Sequence, residues 1–419
     1  MFKAYPRHCV DISKKEYKKI LSLLFSSQML NGDYIPKFES LFAEYNNVRY
    51  ALSMPSARLG LYAILRYFNF PNGSEVIMTP FTHWSIFSVV KSSGLNPVFV
   101  DIDECTCNIT PAMVRDRITK KTKLLIITHM WGQPCEMKGF LDIREEFGLK
   151  VIEDCAMASG ATYNNQKVGS FGDASIFSFG KAKAISTFGG GMLCTSDSEI
   201  HEGIKKMMLD FKDESRSALI INIINAAIAN ILTKPAIFFS SLYPVMRLFN
   251  LRDPYNPIEH RKDASIFLDE IPNAWKIKYS NIQAAVGIEQ LKNLDLRNNK
   301  RIENSDYLNK MLFDLRGIGL PLSKPGVRHI YLYYALLIKR SINLNTIRRR
   351  LLSEGVDSQL NELTSSKELA VFGANSDDYP VFKRVSQNLL IIPNGINLAP
   401  VDIEYVGLIF KKTWQLLED

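Results

Sequence analysis

Two spacings of apolar residues alternate along the chain. Compact runs rich in branched and aromatic side chains occur at Glu75-Val-Ile-Met, Pro97-Val-Phe-Val, Leu124-Leu-Ile-Ile-Thr, Lys150-Val-Ile and 174–179. Such runs predict buried strands. Between them the apolar residues recur at helical spacing, as over 58–67 and 143–147. Strand and helix in alternation predict an α/β fold with a large, mostly parallel sheet flanked by helices.

The same reading extends to both ends. Residues 11–46 predict two helices broken at Asn31-Gly32-Asp33, and Tyr50-Ala-Leu-Ser predicts a short strand. Further helices are expected over 199–209 and 286–294. The pattern then starts afresh with a strand over 330–338, a helix over 345–354 stopped by Gly355, and a closing helix over 401–417. This predicts a large domain, 1–290, and a smaller C-terminal α/β domain, 291–419.

One stretch fits neither spacing well. Residues 217–251 form a strongly apolar insertion with no acid between Arg216 and Arg252, with Lys234 and Arg247 inside it and prolines at 235 and 244. Neither of its apolar runs reaches the roughly 20 residues that span a bilayer. An acid-free, basic-flanked pair of short helices meets the needs of an interfacial membrane contact. Ile220, Ile224, Ile228, Phe238, Phe239 and Leu242 would be inserted, with Lys234, Arg247 and Arg252 on the lipid headgroups. The same residues could instead pack as a helical cover on a second subunit or over the active site.

Composition narrows the class. At 419 residues and 46% hydrophobic, the chain can bury a large core, and 23 glycines and 18 prolines indicate neither disorder nor a fibre. The net charge of +8 is dispersed and carries no nucleic-acid module pattern. It suits phosphate-bearing small molecules or an anionic surface. Six scattered cysteines without a CxxC pair read as reduced core residues, so no metal is expected, and His201-Glu202 reads as a helix surface pair. The first residues, MFKAYPRHCV, lack the apolar core of a signal peptide, which points to the cytoplasm.

The chemistry concentrates between Val151 and Thr195. Glu153 and Asp154 end a strand, where open α/β sheets place their ligands. Gly169-Ser-Phe-Gly-Asp, the strand over 174–179, and a polar turn carrying Ser178, Lys181 and Lys183 follow, before Gly189-Gly-Gly. A buried acid, a hydroxyl and a lysine at neighbouring strand ends suit pyridoxal 5'-phosphate. That cofactor needs an amine, a carboxylate for its ring nitrogen, and hydroxyl and N–H donors for its phosphate.

The stretch resembles the DegT/StrS family of sugar aminotransferases, whose pattern runs roughly EDAAQAHGA, VGSFGD, FSF and a lysine four residues further on. The resemblance extends in order from Gly32 to about Pro400 and implies a fold-type-I homodimer with shared active sites. It implies Asp154 as the partner of the ring nitrogen, Ser178 as a phosphate ligand and Lys183 as the cofactor lysine, with Lys181 the competing amine. Ser56 and Ala57 stand where the family binds phosphate, although Ser56 can equally be only a helix cap. His83, rather than its neighbour Trp84, matches the ring-stacking aromatic. Lys276 and Lys278 replace an asparagine and an arginine that reach the neighbouring subunit's cofactor. Met157 stands for the family's cofactor-contacting glutamine and Ser159 for its histidine.

Asp101, Asp103 and His129 fall in family motifs and are expected to hold the fold. The resemblance further implies glutamate as amino donor and a keto-sugar acceptor, usually nucleotide-linked, in amino-sugar and surface polysaccharide biosynthesis such as that of lipopolysaccharide. A dehydratase of the same fold would carry histidine in place of Lys183. A non-catalytic scaffold or regulator would need no cofactor at all.

Overall fold

The computed structural model describes residues 3–249 and 275–418. Strands β1 (Tyr50–Met54), β2 (Glu75–Met78), β3 (Asn96–Phe99), β4 (Thr122–Thr128) and β5 (Lys150–Asp154) come first. A small hairpin, β6 (Thr162–Tyr163) and β7 (Gln166–Lys167), leads to β8 (Ala174–Ser178) and β9 (Gly191–Thr195). The large sheet has the order β1-β9-β8-β5-β4-β2-β3. Strands β3, β2, β4, β5 and β8 run parallel, whereas β9 is antiparallel to both β8 and β1. The end of β1, the ends of β5 and β8, and the start of β9 therefore lie on one edge.

Helices α1 (Lys14–Leu24), α2 (Tyr34–Asn46), α3 (Ala57–Phe68), α4 (Trp84–Ser92), α5 (Pro111–Arg115), α6 (Met137–Phe147) and α7 (Ser198–Met207) belong to this first half. Their ends follow from local sequence. Ser13 and Glu16 form a reciprocal capping box at the start of α1, and Asn47 and Asn69 close α2 and α3 in the left-handed conformation that asparagine tolerates. Gly148 closes α6 in the same way. The helix predicted over 143–147 is longer than expected, because Met137 and Phe140 bury one turn earlier.

The apolar insertion forms three helices rather than two, α8 (Arg216–Leu232), α9 (Pro235–Ser240) and α10 (Leu242–Phe249). Arg252 lies outside the described residues. Helices α11 (Asn281–Lys292) and α12 (Leu294–Leu312) follow. Helix α12 has no counterpart in the hydrophobic pattern because Leu-Asp-Leu-Arg-Asn-Asn-Lys-Arg is polar nearly all round, and its inner face is built from Arg297, Asn298, Asn304 and Ser305 as well as leucines.

A second sheet holds β10 (Ile318–Gly319), β12 (Tyr334–Ile338), β13 (Gln359–Leu360) and β14 (Leu389–Ile392) in the order β10-β12-β14-β13, while β11 (Val327–Arg328) pairs with β6. Helices α13 (Leu344–Ser353), α14 (Ser366–Val371), α15 (Pro380–Asn388) and α16 (Pro400–Glu418) complete the chain. The strand expected over 330–338 is shorter at its start. Ile330 and Leu332 donate to the backbone oxygens of Gly132 and Trp131, 3.1 and 2.9 Å away, and so tie the two halves together instead of extending the second sheet. Asp101 does the same from the other side, accepting from the amides of Val381 and Phe382 at the start of α15. The N-terminal residues also reach the second half, where Tyr5 bridges Val356 and Arg7 grips Asp357 through two bonds of 2.7 Å in a buried pair.

Candidate active site

Glu153 and Asp154 are neighbours on β5, so their side chains leave opposite faces of the sheet. Both oxygens of Glu153 are committed: the amides of Phe171 and Gly172 donate to one, and the amide of Gly169 and Nε2 of His129 approach the other at 2.8 and 3.1 Å. Glu153 therefore shapes the turn that feeds β8. His129 is fully buried and its Nδ1 accepts from the amide of Cys135. Cys155 completes a cluster with His129 and Glu153 whose ligand atoms lie within 4.8 Å of one another. Burial pushes the Cys155 thiol far up, away from the thiolate a metal needs.

Asp154 has a different environment. Its carboxylate accepts one amide, that of Ala156 at 3.1 Å, and it is buried. Burial raises its pKa, opposed by that amide and by the positive charge of Lys183. A buried acid with spare acceptor capacity is set to receive a cationic N–H.

The loop from β8 to β9 presents the lysine. Phe179 and Gly190 pair across its base at 2.9 Å, the amide of Thr187 donates to Phe179, and the amide of Lys183 donates to Gly180. Tyr333 Oη, from the C-terminal half, donates to the carbonyl of Ala182 at 3.3 Å. Gly180 sits between Ser178 and the Lys183 stem, each under 4 Å from where its Cβ would be. Burial drives the Lys183 amine down to about 8, with Asp154 pulling the other way. Lys181 is exposed. Of the two lysines, the fold brings Lys183 toward Asp154.

Beside Ser178 lies a narrow cradle. Ser178 pairs with Gly191, and Ser56 forms a bridge with Gly190. A Cβ on Gly191 would fall 2.4 Å from the carbonyl oxygen of Phe177 and 2.8 Å from the amide nitrogen of Ala57, and one on Gly190 would strike the ring of Tyr279. Only glycine lets β9 pass this close to the start of α3. Ser56 caps that helix, its Oγ accepting from Leu59 at 3.2 Å, so the capping role holds. A capping hydroxyl still has its own proton to donate, and the first-turn amides of α3 have no intrahelical acceptor. Two residues after Ser56, the guanidinium of Arg58 lies over the ring of Trp275, 4.6 Å from its centre.

The remaining candidates are less closely gathered. His83 caps α4 with Nδ1 facing the amide of Ser85 and is exposed at the same edge of the sheet, while Trp84 is half-buried within the helix. Met157 packs against both core clusters of the large sheet. Ser159 serves through its carbonyl, which accepts from Asn298 at 2.9 Å. Lys276 and Lys278 flank a bridge between Ile277 and Lys212, next to Trp275, and Lys278 is exposed.

An amine, a buried acid with spare acceptor capacity, two hydroxyls and a glycine-lined helix start form a donor set that fits pyridoxal phosphate. A family model described as the DegT/DnrJ/EryC1/StrS aminotransferase family matches residues 10–218 and 256–411. The chain belongs to this family. It is thus a pyridoxal-phosphate-dependent aminotransferase. An uncharacterized protein of Methanocaldococcus jannaschii is 29% identical over 91% of this chain and 90% of its own length. GDP-perosamine synthase of Escherichia coli O157:H7 is 35% identical over 48% of this chain and 55% of its own. Among solved structures, Helicobacter pylori PseC, an aminotransferase involved in the biosynthesis of pseudoaminic acid, superposes with a TM-score of 0.78 at 22% identity, covering 99% of this chain and 100% of that one. This likeness shows the fold.

Proposed function

We propose that the protein transfers an amino group from an amino acid, glutamate, to a keto-sugar carried on a nucleotide or otherwise activated, in amino-sugar or surface polysaccharide biosynthesis. The family supports the reaction class, and the sugar is supported by relatives such as the GDP-perosamine synthase. When bound, pyridoxal phosphate supplies an electrophilic carbonyl carbon and an electron-withdrawing ring.

Lys183 Nζ would hold the cofactor's carbonyl carbon and, once freed by the donor amine, would take the proton from the donor's α-carbon and return it to the cofactor carbon beside it. An amine near 8 is partly neutral at physiological pH, so it can take that proton. Asp154 keeps a proton on the ring nitrogen. Ser178, Ser56 and the amide of Ala57 hold the phosphate, with His83 against the ring and Met157 filling the place of a polar contact. Lys276 and Lys278 serve the neighbouring site of a homodimer. Residues 1–290 and 291–419 act as the large and small domains. The protein works in the cytoplasm, with peripheral contact to the inner face of the membrane through 217–251.

The observation that carries this reading is that the loop from β8 to β9 turns Lys183, and not the exposed Lys181, toward the buried Asp154. The test is the first half-reaction in solution. The purified protein should show the absorbance of an internal lysine-cofactor linkage, glutamate should bleach it with release of 2-oxoglutarate, and a nucleotide-linked keto-sugar should restore it. A colourless protein would favour the scaffold. Bleaching by glutamate without restoration by any keto-sugar would remove the sugar.

A further inference from the structure

Helix α8 is apolar on two opposite sides. Its inner side buries Leu219, Ile223 and Ala226 in one cluster with Ile20 and Leu23 of α1 and Ile282 and Ala285 of α11. Asn230 locks it there, accepting from Tyr17 Oη at 3.1 Å and donating to the carbonyl of Val10 at 2.7 Å. Its outer side carries Ile221, Ile224, Ile228 and Ile231, which are 57, 51, 48 and 47% exposed. Their three-four-three spacing puts them on one line of the helix. A helix that is hydrophobic all round is ordinarily covered.

Part of the remaining insertion is packed, although Val245 and Leu248 of α10 are exposed. Phe238, Tyr243 and Met246 of α9 and α10 are buried with Ala4, and Phe239, Leu242 and Leu352 pack against them. Of the apolar residues singled out in the sequence, only Ile224 and Ile228 are on the exposed line of α8.

The neighbouring helix shows the same design. Helix α1 runs antiparallel to α8, with Tyr17 opposite Asn230 and Ser26 opposite Arg216. It turns Glu16, Ile20 and Leu23 inward and leaves Lys14, Lys18, Leu21 and Phe25 outward, the last two 65 and 87% exposed. Both helices bury their inner sides in one cluster.

Charge identifies what fits this face. From Ser215 to Phe249 there is no aspartate or glutamate, while Arg216, Lys234 and Arg247 are exposed, and α1 adds Lys14, Lys15 and Lys18. An apolar stripe rimmed by cations complements anionic headgroups over acyl chains. No helix among the described residues is long and apolar enough to cross a membrane. The family match also stops at 218, just inside α8, and resumes at 256.

We propose that the outer faces of α8 and α1 form one docking surface for an anionic phospholipid bilayer. This deepens the peripheral contact included in the functional reading and brings the aminotransferase to a surface where lipid-linked glycans are assembled.

The test is flotation of the full-length, cofactor-loaded protein with vesicles of phosphatidylcholine and phosphatidylglycerol, against phosphatidylcholine alone. The protein should float with the anionic vesicles and lose most of that binding at high salt. Ile224→Glu with Ile228→Glu should weaken binding by about a hundredfold or more while keeping cofactor absorbance, and Lys14→Glu with Lys18→Glu should weaken it as well. Absence of flotation overturns the proposal. So does a fall in the particle mass of the isoleucine double variant by light scattering, which would assign the stripe to a second copy. Flotation gained only on removing residues 250–274 would assign it to the chain's own segment. Loss of flotation at unchanged particle mass leaves the half-reaction with glutamate intact, since that reaction is measured without vesicles.

Discussion

Gly191 and the amide nitrogen of Ala57 approach so closely that a methyl group on the glycine would lie 2.8 Å from that nitrogen, and 2.4 Å from the carbonyl oxygen of Phe177. Both obstacles are backbone and cannot swing aside. Gly191→Ala should therefore push the start of α3 away from β9, costing about 1 to 3 kcal/mol of stability. It should weaken cofactor binding at least about tenfold, a loss of roughly 1.4 kcal/mol. Gly180→Ala is the control, since its nearest contacts would be ordinary at 3.8 and 3.9 Å. Thermal unfolding and cofactor titration of the two variants check this.

The adjacent acids should separate by readout. Glu153→Gln turns one of two filled acceptors into an N–H₂ facing backbone donors, and each buried group left unpaired costs about 1 to 3 kcal/mol. That variant should unfold at markedly lower denaturant. Asp154→Asn removes a charge that accepts only one amide, so the fold and the attached cofactor should survive. Its turnover should fall by orders of magnitude. Near-normal turnover in Asp154→Asn would take that residue out of the proposed role.

Stability should carry the mark of Lys183 across pH. The folded amine titrates near 8 and the unfolded one near 10.5. Below about 8 the amine is charged in both states, and folding bears the cost of burying it. Between those values the unfolded chain binds more protons, so this contribution to stability rises with pH. Cofactor-free Lys183→Met should thus be more stable than the wild type near neutral pH, with the gap closing as pH rises from about 8 to 10.5. Urea midpoints across that range check it, and a gap that widens would show that the amine is not desolvated.

Much of this arrangement was legible in the sequence because strand ends and glycines carry local signals. The run Lys150-Val-Ile-Glu-Asp gives a strand ending in acid, and Gly189-Gly-Gly marks a tight passage. The strand pattern alone does not say which acid faces the site, since adjacent residues on a strand point oppositely and either register satisfies it, and Asp154 is named by the family resemblance. The roles of Glu153 and Asp101 depend on amides that come from distant segments. Helix α12 was missed because Asn298 and Asn304 are buried by hydrogen bonding to the carbonyls of Ser159 and Asn394 rather than by apolar spacing. The insertion reads in sequence as a strongly apolar, acid-free pair of helices, and only packing separates its buried Phe238 from its exposed Ile224.

The choice of lysine is the centre of the account, and one measurement addresses it. Borohydride reduction of the cofactor-loaded protein, followed by proteolysis and mass spectrometry, fixes the cofactor to the residue that holds it. The adduct should be on Lys183, should persist in Lys181→Ala and should vanish in Lys183→Ala together with glutamate-dependent bleaching. An adduct on Lys181, or one that survives in Lys183→Ala, would contradict the assignment.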